Sequence, residues 1–158
     1  MDPLSATANC IAIVGIAYKS CQSLNELFHG LTEAPKEVCQ SCAAVKSLAA
    51  ILSHIISLHN EGREEQVFSL DFQNCLQTCA SDVVLVEKRL MKMDASLRKG
   101  ILHRSWTKLK WSSSADQWLG RFFDRVQTYN VVFSLELVAL QMYIWVWDRL
   151  ETVCVDQL

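Results

Sequence analysis

Between residues 72 and 97, apolar side chains are spaced as in a helix that is packed against neighbours along its whole length. Its apolar side chains recur at alternating intervals of four and three residues over more than three heptads. This is the seam expected where helices cross at a shallow angle in a bundle. The positions are Phe72, Leu76, Cys79, Val83, Val86, Leu90, Met93 and Leu97. The spacing therefore predicts an all-α fold built from packed helices.

The remaining sequence offers three more helices and few places to turn. The chain has 158 residues, of which only five are glycine and two are proline, and such sparse turn residues favour long helices over many short strands. Apolar spacing predicts helices over 4–30, 35–59 and 118–147. Residues 101–111 are interpreted as a short helix or a packed loop. The prediction is a single domain, residues 1–158, folded as an antiparallel helical bundle of four long helices plus a short connecting helix. Short connections favour the up-and-down order, in which each helix lies beside the next.

The N-terminal segment is uncharged from Pro3 to Tyr18. It differs from a secretory signal, which opens with positive charge, because no Lys or Arg precedes Lys19. It is also short for a lone membrane span, which needs about 20 apolar residues. Two roles stay open: a buried helix of the bundle, or a helix released to enter a membrane. The expected inserting residues are Leu4, Ile11, Ile13, Val14, Ile16 and Tyr18. A charge at Ile13 or Ile16 is expected to harm both roles.

Basic side chains concentrate between residues 88 and 110, where eight Lys or Arg stand against Asp94 alone. Eight minus one gives this stretch a charge of +7 and leaves −9 for the rest of a chain whose net charge is −2. The cluster is either an ordinary solvated helix face or a site that binds anionic lipid, with Trp106 and Trp111 as interfacial anchors. Nucleic acid is a weaker candidate ligand, since no recognition motif accompanies the cluster. The expected lipid-binding residues are Lys88, Arg89, Lys92, Arg98, Lys99, Arg104, Lys108 and Lys110.

The last predicted helix is apolar nearly all round over residues 137–147. A helix of this kind is either central to a core or covered by a partner. We expect part of it to contact another copy or a neighbouring domain through Trp145 and Trp147, because exposed tryptophans favour association. A second membrane helix is disfavoured by three polar residues within or beside the segment, Glu136, Gln141 and Asp148.

The seven cysteines fit buried core positions better than a metal or redox site, and a site at Cys39 and Cys42 stays the weaker interpretation. Cys39 and Cys42 make a single CxxC, with no second pair to complete a zinc site and no βαβ pattern to support a redox site. An odd number of cysteines without a secretory signal predicts reduced thiols in a cytosolic protein, buried as small apolar side chains. No cofactor, no metal and no catalytic activity are expected.

Several segments, taken in order along the chain, resemble one known family. They are the opening Met-Asp-Pro-Leu-Ser-Ala-Thr-Ala, then Ala34-Pro-Lys-Glu-Val38, then Asn74-Cys-Leu-Gln-Thr-Cys79, and finally Lys108-Leu-Lys-Trp111 ahead of an aromatic and aliphatic helix. On these residues the chain resembles the HeLo-like domains, which are the N-terminal domains of fungal STAND proteins, the NLR-like signalling ATPases. The resemblance covers nearly the whole chain.

The resemblance implies a membrane-targeting cell-death execution domain, similar to HeLo and to the four-helix domains of necroptotic pseudokinases and plant coiled-coil resistance proteins. In that group, activation drives homo-oligomerisation and the N-terminal helix permeabilises the plasma membrane. The implied partners are anionic membrane lipids, further copies of the chain and a sensor or STAND protein. Such a domain is cytoplasmic at rest and reaches the plasma membrane on activation. The alternative is a non-lytic helical interaction module that docks onto a STAND ATPase domain or an adaptor.

Overall fold

The computed structural model describes four long helices, within residues 3–29, 36–60, 68–98 and 115–155. In chain order they are α1 (Pro3–His29), α2 (Lys36–Asn60), α3 (Leu70–Arg98) and α4 (Ala115–Val155). These residues contain no strand, so the predicted all-α helical bundle is confirmed. The connecting helix predicted for residues 101–111 lies outside the described residues.

The start of α3 is fixed by a polar cap and an aromatic pair. The backbone N–H of Phe72 donates to the Ser69 hydroxyl at 3.2 Å, which satisfies one of the N–H groups that a helix leaves open at its first turn. Asp71 adds a favourable negative charge in the same turn. The buried ring of Phe68, just ahead of the helix, stacks on Phe72 with centroids 5.0 Å apart. The cap therefore sets where α3 begins, and the ring pair holds that end against the core.

The predicted α3 seam is the centre of the core. Its members from Phe72 to Leu90 are all buried, and Met93 packs at the edge of the core. The ring of Phe72 meets Phe133 of α4 edge-on at 5.2 Å. The other helices contribute fully buried aliphatic side chains, which are Val14 and Leu24 from α1, Val45, Leu48 and Leu52 from α2, and Val126 from α4. Each helix thus buries one apolar stripe in a common core.

The order of neighbours differs from that of a simple up-and-down bundle, in which each helix lies beside the next. In this structure α1 packs on α2 and α3, and α4 packs on the same two helices. Consecutive helices α2 and α3 therefore lie across the bundle from each other. The α3–α4 pair is antiparallel, because Ser69 meets Glu136 whereas Asp82 meets Arg125. The seam of α3 is covered from both sides, by α1 and by α4.

Helix α4 is longer than its neighbours, with 41 residues against 29 in α3. Glu136 accepts hydrogen bonds from the backbone N–H of Ser69 at 3.1 Å and from its hydroxyl at 3.2 Å. The first turn of α3 is therefore level with Glu136. At a rise of 1.5 Å per residue, α4 continues for roughly 28 Å beyond that level.

Candidate functional site

The inner face of α1 belongs to the core. Val14, Ala17, Cys21 and Leu24 have no exposed surface. Three other predicted inserting residues, Ile11, Ile13 and Tyr18, are partly buried against the core, while the side chain of Leu4 lies outside the described part of α1. In this structure, α1 is therefore a structural helix of the bundle.

The outer face of α1 carries no charge over its first half. Ala8, Asn9, Ala12 and Ile16 are all exposed, and 53% of the Ile16 surface is open to solvent. Charged side chains appear on this face only from Lys19 onward. The structure corrects the expectation that a charge at Ile16 harms the bundle, because this side chain already lies at the surface. A charge there tests insertion separately from folding.

The described part of the predicted basic cluster lies on the second half of α3. Lys88, Arg89 and Lys92 are exposed there. Arg98 is the last residue of α3, and its side chain is not described. The other predicted members fall between α3 and α4, outside the described residues, as do both interfacial tryptophans of that stretch: Lys99, Arg104, Trp106, Lys108, Lys110 and Trp111.

A groove of about 190 Å³ between α3 and α4 extends this basic surface. The Arg89 guanidinium lies over the Trp118 ring, 5.4 Å from its centroid, which is cation–π geometry. Arg121 and Arg125 of α4 line the same groove. Sequence reasoning missed both arginines because they lie outside the basic stretch. Their four-residue spacing places them on one face of α4, which was the available signal.

One of these arginines is held by an acidic residue. Nη1 of Arg125 donates to both carboxylate oxygens of Asp82 at 2.9 Å, and the Tyr129 hydroxyl donates to the same carboxylate at 2.6 Å. The pKa of Tyr129 is raised, first by burial and then by Asp82. Hydrogen bonding to Asp82 raises the pKa of Arg125. Among the described residues, Arg89 and Arg121 have no acidic partner, unlike Arg125.

The described cysteines are placed as core residues rather than as a reactive site. Cys10, Cys21 and Cys79 are buried, and burial raises the pKa of the Cys21 thiol to about 12. A thiol with so high a pKa is a poor nucleophile at neutral pH. Cys42 of the CxxC is half-buried, and the side chain of Cys39 is not described. Within the described helices, no group of three or more His, Cys, Asp or Glu could hold a metal ion.

Most of the exposed large apolar side chains among the described residues belong to α4. Val131, Leu135, Val138 and Met142 are exposed along it. Trp145, a predicted contact residue, is also exposed and lies 5.0 Å below the Arg149 guanidinium. The side chain of the other, Trp147, is not described. Helix α4 therefore has two apolar faces, one packed in the core and one exposed to solvent.

Two helical segments of the described chain are long and apolar enough to cross a membrane. They are residues 41–60 of α2 and residues 117–146 of α4. Core helices of soluble proteins meet the same criterion, and about a quarter of each segment is buried, 28% and 22%. Length and composition therefore do not by themselves make either helix a membrane span.

A model of a protein family matches nearly the whole chain. The family is described as pigment biosynthesis cluster protein PigL N-terminal, and the match covers residues 1–147. The matched residues include α1, α2, α3 and most of α4. No curated protein and no solved structure matches the chain.

Proposed function

We propose that this chain, which belongs to the pigment biosynthesis cluster PigL N-terminal family, is a membrane-targeting helical domain of the HeLo-like type. It acts as a cell-death effector whose copies assemble at the plasma membrane, where residues 4–18 of α1 enter the bilayer. The observation that carries the proposal is the outer face of α1, which is uncharged from Ala8 to Ile16. The outward face of a helix on a soluble bundle ordinarily carries charged or polar residues along its whole length.

Release of α1 from the bundle requires a compensating contact. Burial of one large apolar side chain stabilises a fold by roughly 1.5–3 kcal/mol, so exposing the α1 core residues to water costs on the order of 10 kcal/mol. The free energy of unfolding of a whole domain is only about 5–15 kcal/mol. The buried residues are Cys10, Val14, Ala17, Cys21, Leu24 and Phe28. In the proposal, α1 leaves only where lipid and other copies cover these side chains again.

The basic surface makes the first contact with the membrane in this proposal. Lys88, Arg89 and Arg121 are exposed, and the two arginines line the groove between α3 and α4. Each well-placed basic side chain favours binding to an anionic leaflet by about 1 kcal/mol. Trp118 lies beside Arg89, and indole rings favour the headgroup level. The expected ligand is therefore the phosphate-bearing surface of an anionic bilayer.

The experiment that tests the proposal is dye leakage from vesicles containing phosphatidylserine, with the full chain and an Ile16→Glu variant. Ile16 is exposed, so the variant is expected to fold normally. A charged side chain at the centre of a bilayer costs about 2.5–3.5 kcal/mol. The variant is therefore expected to reduce leakage at least tenfold. Equal leakage by the two proteins would overturn insertion through α1.

A matched control places the same charge away from α1. Leu70 is an exposed apolar residue in the first turn of α3, and Leu70→Glu is expected to leave leakage unchanged. Deletion of residues 1–18 is a poorer test, because it also removes Val14 and Ala17 from the core. Melting curves of both point variants identify any loss of folding.

The alternative function is a non-lytic helical interaction module that docks onto a STAND ATPase domain or an adaptor. The deep burial of α1 favours this alternative, because four of its side chains are fully buried and it stabilises the bundle without leaving it. In this case the folded wild-type chain neither floats with phosphatidylserine vesicles nor releases their contents. Flotation and leakage together therefore separate the two functions.

A further inference from the structure

The exposed apolar residues of α4 have the spacing of a second packing seam. Val131, Leu135, Val138, Met142 and Trp145 follow one another at intervals of four, three, four and three residues, and each is between 52% and 66% exposed. This is the pattern by which one helix packs along another. The core-facing stripe of α4 is separate from it, running through Val126, Tyr129, Phe133, Leu137 and Leu140. Helix α4 thus presents one seam to its own bundle and a second one outward, called here the outer seam.

Charged side chains are few along the outer seam, and the Arg149 guanidinium lies over the Trp145 ring at its C-terminal end, 5.0 Å from the ring centroid. From Val131 to Val146, the only charged residue is Glu136. Its carboxylate is directed to the first turn of α3, where it accepts both hydrogen bonds from Ser69. Between the apolar positions lie small or uncharged residues, Ser134, Ala139 and Gln141. A contiguous apolar patch of this size indicates a covered surface.

The length of one longer internal connection and the charge of the other make them poor candidates to cover the outer seam. Residues 99–114 are anchored at both ends, so this stretch can extend and return over about 27 Å at most, whereas Val138 is roughly 34 Å along α4 from Ala115. Residues 61–67 carry four charged side chains among seven. Such a polar segment is unsuited to burying a row of large apolar residues.

We propose that the outer seam is the interface of a homodimer, in which α4 of one copy packs antiparallel on α4 of a second copy. A two-fold axis near Val138, the middle of the seam, brings the Val131–Leu135 half of one copy against the Met142–Trp145 half of the other. Closed two-fold pairing uses the same patch twice and leaves no seam exposed. This association needs no lipid and does not depend on the proposed membrane function.

The area of the outer seam suits such a dimer. Two copies of these five side chains, with the flanking Val146, bury on the order of 1,000 Å² together, which is at the lower limit for a specific protein interface. Val146 is also exposed. The core of the interface would be apolar and aromatic with a polar rim, the composition typical of homodimers. A dimer of micromolar stability is therefore expected.

Analytical ultracentrifugation of the full chain, without lipid and with a reductant to prevent disulfide formation, tests the proposal. The wild-type chain is expected to be a dimer at about 10–100 μM, because these concentrations exceed the expected micromolar dissociation constant. Leu135→Glu and Met142→Glu each place a charge in the seam and are expected to weaken the dimer at least 100-fold. Met91→Glu is the matched control, because Met91 is equally an exposed methionine, on α3, and it is expected to leave the dimer unchanged.

Three outcomes would overturn the dimer. The first is a wild-type chain that is still monomeric at about 100 μM, well above the expected micromolar dissociation constant. The second is an equal effect of Met91→Glu and Met142→Glu on the dimer. The third is a dimer that persists in both seam variants. If the wild-type chain is monomeric and Leu135→Glu abolishes vesicle binding, the outer seam contacts lipid instead. Melting curves separate loss of association from loss of folding. Leakage through α1 is measured independently, so failure of one proposal does not mimic failure of the other.

Discussion

The buried Cys79 side chain of α3 shows how strongly the core disfavours an ionised group. Cys79 is fully buried in the α3 seam, three residues before the Asp82 carboxylate that holds Arg125 and Tyr129. Burial is the main cause that raises the pKa of Cys79 well above its ordinary value of 9.0, and the nearby Cys21 adds to it. The thiol therefore stays protonated in the fold at a pH where it ionises in the unfolded chain.

We predict that this thiol makes the fold weaken in alkali. A group whose pKa is raised by folding stabilises the fold below its unfolded pKa and loses that contribution as the pH rises above it. The free energy of unfolding is thus expected to fall above pH 9, with Cys79 contributing about 1 kcal/mol between pH 9 and pH 10. Urea unfolding at pH 8, 9 and 10 measures the slope. In Cys79→Ala the slope should be shallower by that amount, and an unchanged slope would contradict the assignment.

Among the helices, α3 is the one whose beginning is most clearly determined. Its cap residue, Ser69, serves two elements at once: the hydroxyl oxygen accepts from Phe72 N–H within α3 and its proton is donated to Glu136 of α4. The same carboxylate also accepts from the Ser69 backbone N–H. This end of α3 is therefore tied to the middle of α4.

Replacing this cap should destabilise the bundle. Loss of an N-cap hydroxyl costs about 1 kcal/mol, so Ser69→Ala is expected to lower the free energy of unfolding by about that amount, measured by thermal or urea denaturation. Ser81 is the matched control within α3, where its hydroxyl donates to the Gln77 carbonyl inside the helix. Ser81→Ala is expected to be neutral or slightly stabilising, since alanine has the higher helix propensity. Equal losses in the two variants would contradict a capping role.

Apolar periodicity accounts for most of what the sequence predicted about these elements. The α3 seam predicted a helix over 72–97, and the structure extends it by two residues at the start, where the Ser69 cap sets the boundary. Periodicity could not predict that α2 and α3 lie across the bundle from each other, because that order depends on which stripes pair in space. Nor did it bring Arg121 and Arg125 to the basic surface, since charges on separate helices meet only through the packing of α3 on α4.

At the scale of the whole molecule, the described outer faces of α1 and α4 both carry uncovered apolar side chains, and these two helices do not pack extensively on each other. α1 and α4 both pack on α2 and α3, and their outer faces carry the exposed Ile16 and the outer seam. A dimer through α4 therefore leaves the outer face of α1 free for a membrane. The two proposals are compatible in one molecule, with α4 joining copies and α1 acting on lipid.

Cavities at two equivalent core positions separate the release of α1 from general destabilisation. Val14 of α1 and Val126 of α4 are both fully buried, so Val14→Ala and Val126→Ala are each expected to lower the free energy of unfolding by about 2 kcal/mol. Only Val14→Ala weakens the attachment of α1, whereas Val126 lies on a helix that packs mainly on α2 and α3.

If α1 must leave the bundle to act, Val14→Ala should therefore speed vesicle leakage by about tenfold, since a factor of ten in rate corresponds to about 1.4 kcal/mol. The smaller affinity of alanine for the bilayer offsets only a few tenths of a kcal/mol of that gain. Val126→Ala, equally destabilised, should leak at the wild-type rate. The same acceleration in both variants would mean that leakage follows global unfolding, and no acceleration in either would mean that α1 stays in the bundle.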